Sequence, residues 1–140
     1  MDKKVIVSVK SKQMVDREEE NIELVTPGKF YKKENIYYVV YDETEISGME
    51  GTTTTMKIGS EEVNLIRFGT TTTRLNFRKG IRDISLYQTP YGVLELVIDP
   101  FLIDIDMNDN GGEVKLSYGL EAGGQKASTN ELHIKIWESH

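Results

Sequence analysis

The chain has 140 residues, with 23 acidic against 17 basic side chains, a net charge of -6 and no cysteine. A chain of this size buries roughly 68–70% of its unfolded surface, so one domain spanning residues 1–140 needs no covalent staples. The missing cysteines exclude disulfides, thiolate nucleophiles, Cys-ligated zinc and iron–sulfur clusters, and the acidic balance weakens attraction to nucleic acid and anionic membranes, which are bound through excess Lys and Arg.

The first ten residues contain one apolar run, Val5-Ile6-Val7. A secretory signal needs an apolar stretch of about 7–15 residues and a membrane-spanning helix about 20, so a cytoplasmic protein without a membrane partner is expected. Val5, Val7 and Val9 then alternate with Ile6, Ser8 and Lys10. Period two is the mark of a half-buried strand, and no stretch of helical spacing longer than about ten residues competes with it.

Pro27-Gly28 and Lys33-Glu34-Asn35 read as breakers, the second inside a hairpin that carries Tyr31, Tyr37, Tyr38 and Tyr41. Gly51-Thr52-Thr53-Thr54-Thr55 and Gly69-Thr70-Thr71-Thr72-Thr73 echo each other 18 residues apart. Two units are too few for a repeat architecture, and the echo reads as two strands with β-branched hydroxyl faces. Gly59-Ser60-Glu61-Glu62 and Lys79-Gly80 are further turns.

Arg67, Arg74, Arg78, Lys79 and Arg82 gather near Phe68 and Phe77 with Asp83 as the one acid among them. Bases with interleaved aromatics bind single strands, and arginine clamps carboxylates and phosphates, but the overall negative charge favours a solvated strand face. Arg67 shares parity with Val63 and Leu65, which points it inward, where it must meet a carboxylate or a ligand anion. Ile66 and Phe68 offer an equally apolar opposite face, which would leave it in solvent.

Tyr87 and Tyr91 flank Pro90, and Leu94, Leu96 and Ile98 open another alternating run that Pro100 interrupts. Proline cannot donate to a ladder, so a bulge or sheet corner is expected at Pro100. Asp106-Met107-Asn108-Asp109-Asn110-Gly111 matches the first half of an EF-hand loop, but the twelfth position is Ser117 rather than a bidentate Glu and the flanks are strands. Asn110-Gly111 reads instead as a type I′ hairpin turn.

The last strands alternate through Val114, Leu116, Tyr118 and Leu120, then, after Gly123-Gly124, through Leu132, Ile134 and Ile136. His133 and His140 make no zinc spacing and no triad, and carboxylates two apart, such as Glu43 and Glu45 or Asp104 and Asp106, are a weak acid–base signal.

The prediction is therefore an all-β domain of about eight to ten strands with little or no helix. Because an open sheet of that size would expose long unpaired edges, a closed antiparallel lipocalin-like (calycin-like) barrel is favoured over a sandwich.

The stretches Tyr38-Val39-Val40-Tyr41-Asp42-Glu43, Arg67-Phe68-Gly69, Phe77-x-x-Gly80 and, most specific, Tyr87-Gln88-Thr89-Pro90-Tyr91-Gly92 together resemble the YwiB-like family of uncharacterised bacterial proteins. That resemblance implies a small calycin-like barrel of about this length and brings no catalytic residues. Unlike secreted lipocalins, the chain has no tryptophan near its start, its single Trp being Trp137.

Two functions are kept open. The first is a cytoplasmic barrel holding a small amphipathic or anionic molecule, with Tyr38, Arg67, Tyr87 and Tyr91 as contacts and no metal or cofactor. The second is a protein interaction module with a filled core, as a monomer or homodimer. An enzyme ranks last, because no nucleophile, metal set or acid–base pair stands out.

Overall fold

A computed structural model describes residues 2–69, 72–89 and 91–139. It contains ten strands and, among the described residues, no helix: β1 (Lys3–Val15), β2 (Glu18–Lys33), β3 (Ile36–Asp42), β4 (Thr52–Ile58), β5 (Glu62–Gly69), β6 (Thr73–Arg78), β7 (Asp83–Thr89), β8 (Gly92–Asn108), β9 (Gly111–Ala122) and β10 (Gln125–Glu138). All ladders are antiparallel and follow chain order, with β1 beside β10. The result is an up-and-down barrel that is nearly closed.

The remaining seam lies between β6 and β7, which share no ladder among the described residues. It is bridged where the Ser85 hydroxyl donates to the Arg74 carbonyl and where Arg78 pairs with Ile81. Closure thus rests there on packing and single bonds.

Alternation decides which side chains fill the barrel. Val5 and Val7, Val63 and Leu65, Val114 and Leu116, and Ile134 and Ile136 are buried as their spacing predicts. Phe30, Met56, Ile58 and Phe77 complete a core that packs the barrel interior with apolar side chains. Interiors of this kind approach crystal-like density.

The irregular positions have local causes. The β8–β9 register shifts between Pro100 and Leu102, placing the expected bulge at Phe101. Glu34 and Asn35 both adopt positive φ, 52° and 66°, in the two-residue loop between Lys33 and Ile36. That is the tight hairpin geometry that twisted strands favour.

Two expected turns are corrected. Pro27-Gly28 does not break the chain but lies inside β2, opposite Ile6 and Val5. The β3 ladder begins only at Lys29, so β2 has one partner at Pro27, and the missing N–H costs no bond on the other side. A side chain at Gly28 would stand 2.9 Å from the Val40 carbonyl oxygen, which explains glycine there. Further on, Asn108 pairs with Gly111, so the β8–β9 loop is Asp109-Asn110, and the left-handed non-glycine residues are Asp16, Glu34 and Asn35. The type I′ turn read at Asn110-Gly111 is therefore not formed. Thr70 and Thr71 of the threonine echo, Pro90 and His140 lie outside the described residues.

Candidate functional site

At one end of the barrel the interior turns from apolar to polar. The register lines up Tyr41 with Thr54, Thr54 with Arg67 and Arg67 with Thr73, forming one row across β3, β4, β5 and β6. Alternation places this row inside: Leu65 is buried on the Arg67 side of β5, whereas Phe68 is 74% exposed on the other. The ambiguity between the two faces of β5 is resolved with Arg67 inward.

Two more side chains complete the cluster. Glu43, just beyond β3, is buried and accepts a 3.1 Å hydrogen bond from the Thr54 hydroxyl. From the opposite wall, β9 contributes the buried Tyr118, whose ring meets Phe77 edge-on at 4.8 Å between centroids.

Arg67 electrostatically favours the ionised forms of Tyr41, Glu43 and Tyr118, so its charge reaches all three. Yet its Nε is buried without a hydrogen-bonding partner, as is the Thr73 hydroxyl. A guanidinium presents five donors in a fixed fork suited to a carboxylate or phosphate. An unpaired buried donor costs about 1–3 kcal/mol, more when charged, and an acceptor that reached the Arg67 Nε would offset that cost.

Burial decides the protonation of the neighbours. It pushes the Tyr41 hydroxyl far above its ordinary value, with Glu43 adding to the shift, and raises Tyr118 as well. Both phenols therefore stay protonated at neutral pH and remain donors. Burial also raises the Glu43 carboxyl, against the opposing pull of Arg67, Thr54 and Ser47. The cluster is rich in donors and carries one fixed positive charge.

Two of the four expected contacts, Tyr38 and Tyr91, lie elsewhere. Tyr38 points out of the barrel, stacked on Tyr31 at 4.8 Å with Lys57 5.7 Å above its ring. Tyr37 and Tyr41 lie on the same face as the buried Val39: Tyr37 packs against the core, stacked on Phe30, and Tyr41 is the one in the polar row. Tyr91 is fully exposed at the β7–β8 connection, and Tyr87 is half-buried on β7 opposite Leu94. The basic cluster also disperses: Phe77 enters the core, Arg82 pairs with Glu121 at 2.9 Å and Arg78 lies 3.9 Å from Asp83. Of that cluster, Arg67 is the member that joins the interior row.

The EF-hand-like stretch is occupied by ordinary side-chain bonds. Asp109 accepts from the Tyr37 hydroxyl at 2.9 Å and lies 3.7 Å from Lys32, while Asn108 accepts from the Asn110 amide. His133 pairs with Glu113 at 2.9 Å on the outer face.

Residues 7–134 match a domain of unknown function, DUF1934. The chain belongs to that family. It is 27% identical over 131 residues to the uncharacterized β-barrel protein YwiB of Bacillus subtilis (strain 168), covering 93% of this chain and 90% of that protein. The crystal structure of the ywiB protein from Bacillus subtilis superposes with a TM-score of 0.88 at 25% identity, covering 99% of this chain and 94% of that one. The resemblance carried by the tyrosine-rich stretches is thereby borne out, and with it the barrel.

Within this member of the family, Glu43 supplies a measurable pH signature. Its pKa is higher folded than unfolded, so the folded chain holds the proton more tightly. Below the unfolded carboxyl value of about 4.3 both states are protonated and the group is neutral toward stability. As pH rises past that value the unfolded chain ionises first, and the wild type loses stability relative to a Glu43→Gln variant. Thermal midpoints of the two proteins should diverge in favour of the variant between acid and neutral pH. A gap that stays constant would show the Glu43 pKa to be the same folded and unfolded, and one that turns toward the wild type at neutral pH would show Glu43 to be a stabilised anion instead.

Proposed function

We propose that this protein binds a small molecule bearing a carboxylate or phosphate at the polar end of its barrel, with Arg67 as the anchor. What supports the reading most is the buried Arg67 Nε that has no acceptor, on a side chain in register with the hydroxyl-bearing Tyr41, Thr54 and Thr73. Charge-assisted hydrogen bonds to a guanidinium are about twice as strong as neutral ones, and the protonated phenols add donors without adding charge. The filled apolar core below the row argues for a short anion over a long-chain amphiphile. Tyr41, Tyr118 and Glu43 replace Tyr38 and Tyr91 as the neighbours of the ligand.

The test is a two-dimensional NMR titration with benzoate and phenyl phosphate, using benzyl alcohol as the uncharged control, on the wild type and an Arg67→Met variant. Methionine keeps the length and apolar stem while removing the fork. Losing a charged hydrogen-bonding pair of about 1.5–3 kcal/mol corresponds to roughly tenfold to hundredfold weaker anion binding in the variant. The shifts should map to residues around Arg67, and the alcohol should not distinguish the two proteins. Anion shifts that are absent, or equal in both proteins, overturn the reading.

A further inference from the structure

Arg67 stands among donors that carry no charge at neutral pH. Tyr41 comes from β3, Thr54 from β4, Thr73 from β6 and Tyr118 from β9. Among the described residues, the cations of β4 and β6 lie outside this row: Lys57 sits over the outward Tyr38 ring, Arg74 is exposed and Arg78 is 3.9 Å from Asp83. Arg67 itself is half-buried, so solvent reaches part of the residue.

Glu43 supplies the opposite sign. It is buried at the end of β3 and accepts from the hydroxyl of Thr54, the residue in register with Arg67. The groups that face it are Arg67, Tyr41 and the hydroxyls of Thr54 and Ser47. One cation thus confronts one carboxyl group. A singly charged ligand brings the cluster to one net negative charge with Glu43 ionised, and to neutrality with Glu43 protonated. A doubly charged ligand leaves one more uncompensated negative charge in either state, in surroundings where such a charge is expensive to hold. At an effective dielectric of about 20, two unit charges as far as roughly 10 Å apart interact by more than a tenfold step in affinity.

We infer that the Arg67 site selects a singly charged anion, such as a monocarboxylate, over a dianionic phosphate monoester, and that Glu43 is the residue that sets this selection. The inference rests on the anion-binding reading of Arg67 and narrows its ligand class. Arg67 attracts, the neutral hydroxyls orient, and Glu43 opposes the second charge.

Isothermal titration calorimetry of the full chain at about pH 8 tests it with three probes. Benzoate and phenyl methyl phosphate each carry one charge, and phenyl phosphate carries two, since the second pKa of a phosphate monoester is about 6. The wild type should bind the two monoanions within a few fold of each other and phenyl phosphate at least about tenfold more weakly. Glu43→Gln, whose amide oxygen can still accept from Thr54, should close most of that gap by strengthening the dianion. Binding of none of the three removes the anion reading and this inference with it. Phenyl phosphate bound as tightly as benzoate, phenyl methyl phosphate rejected along with it, or a gap unchanged in Glu43→Gln would overturn the inference alone and leave Arg67 as an anion anchor.

Discussion

Phe77→Ala is expected to lower the thermal midpoint by roughly 10 to 15 °C. Phe77 is fully buried on β6, the strand that borders the unpaired seam. Truncating a buried phenylalanine costs about 3–5 kcal/mol through lost burial and the cavity left behind. For a domain of this size each kcal/mol shifts the midpoint by roughly 3 °C. The loss should lie near the top of its range, because β6 is held by a ladder on one side only and its packing across the interior does the rest. Differential scanning calorimetry of the wild type, Phe77→Ala and Phe77→Leu would measure it. The leucine variant, which keeps most of the volume, should lose less than about 1.5 kcal/mol. An alanine loss under about 4 °C would mean that the seam collapses to fill the cavity.

The same substitution connects core to site. Phe77 supports the Tyr118 ring edge-on, and Tyr118 faces the charge of Arg67. Well below its midpoint, Phe77→Ala should therefore also bind benzoate more weakly, whereas Phe77→Leu should not. The candidate site inherits its rigidity from the packing beneath it.

Period two made the strands legible. Val114 to Tyr118 and Leu132 to Ile136 are strict alternations with one polar face, and Val5 and Val7 alternate with Ile6 and Ser8; each set is buried as read. Pro100 also declared itself, since a residue without an N–H inside a long strand has few options. Pro27 misled for the complementary reason: whether a strand has one partner or two at a given residue is a property of the assembled sheet.

Where both faces of a strand are apolar, parity is silent. Ile36 to Tyr41 carries aromatic or aliphatic side chains at every position, so sequence could not separate Tyr38, outside, from Tyr41, inside. Arg67 was undecided on the same ground. A usable signal existed in combination. Thr52 and Thr54 share parity with Met56 and Ile58, and Tyr41 shares parity with Glu43, which leaves two polar strand ends directed inward. Tyr118 looked like one more core aromatic, and its relation to Arg67 spans strands far apart in sequence. No local pattern carries that.

Gly112→Ala should be the other severe lesion, costing about 3 kcal/mol or more and roughly 10 °C in midpoint. Gly112 has φ +147°, and a Cβ there would lie 2.1 Å from the Asp106 carbonyl oxygen and 2.8 Å from the Met107 Cα. Both are backbone atoms of the neighbouring strand, so β8 and β9 would have to separate. The adjacent loop cannot simply fray to make room. Asp109 at its tip holds the Tyr37 hydroxyl through its carboxylate and Lys3 through its carbonyl, each at 2.9 Å, which fastens the hairpin to β3 and β1. Gly48→Ala separates backbone strain from collision: Gly48 has φ +75° with nothing within 4 Å of its added Cβ, so only the conformational cost of about 1–2 kcal/mol applies. Thermal melts of the two variants should therefore differ by several degrees, with Gly112→Ala the lower. Equal midpoints would show that the β8–β9 hairpin opens at little cost, and that the contacts of Asp109 do not tie it to the barrel wall.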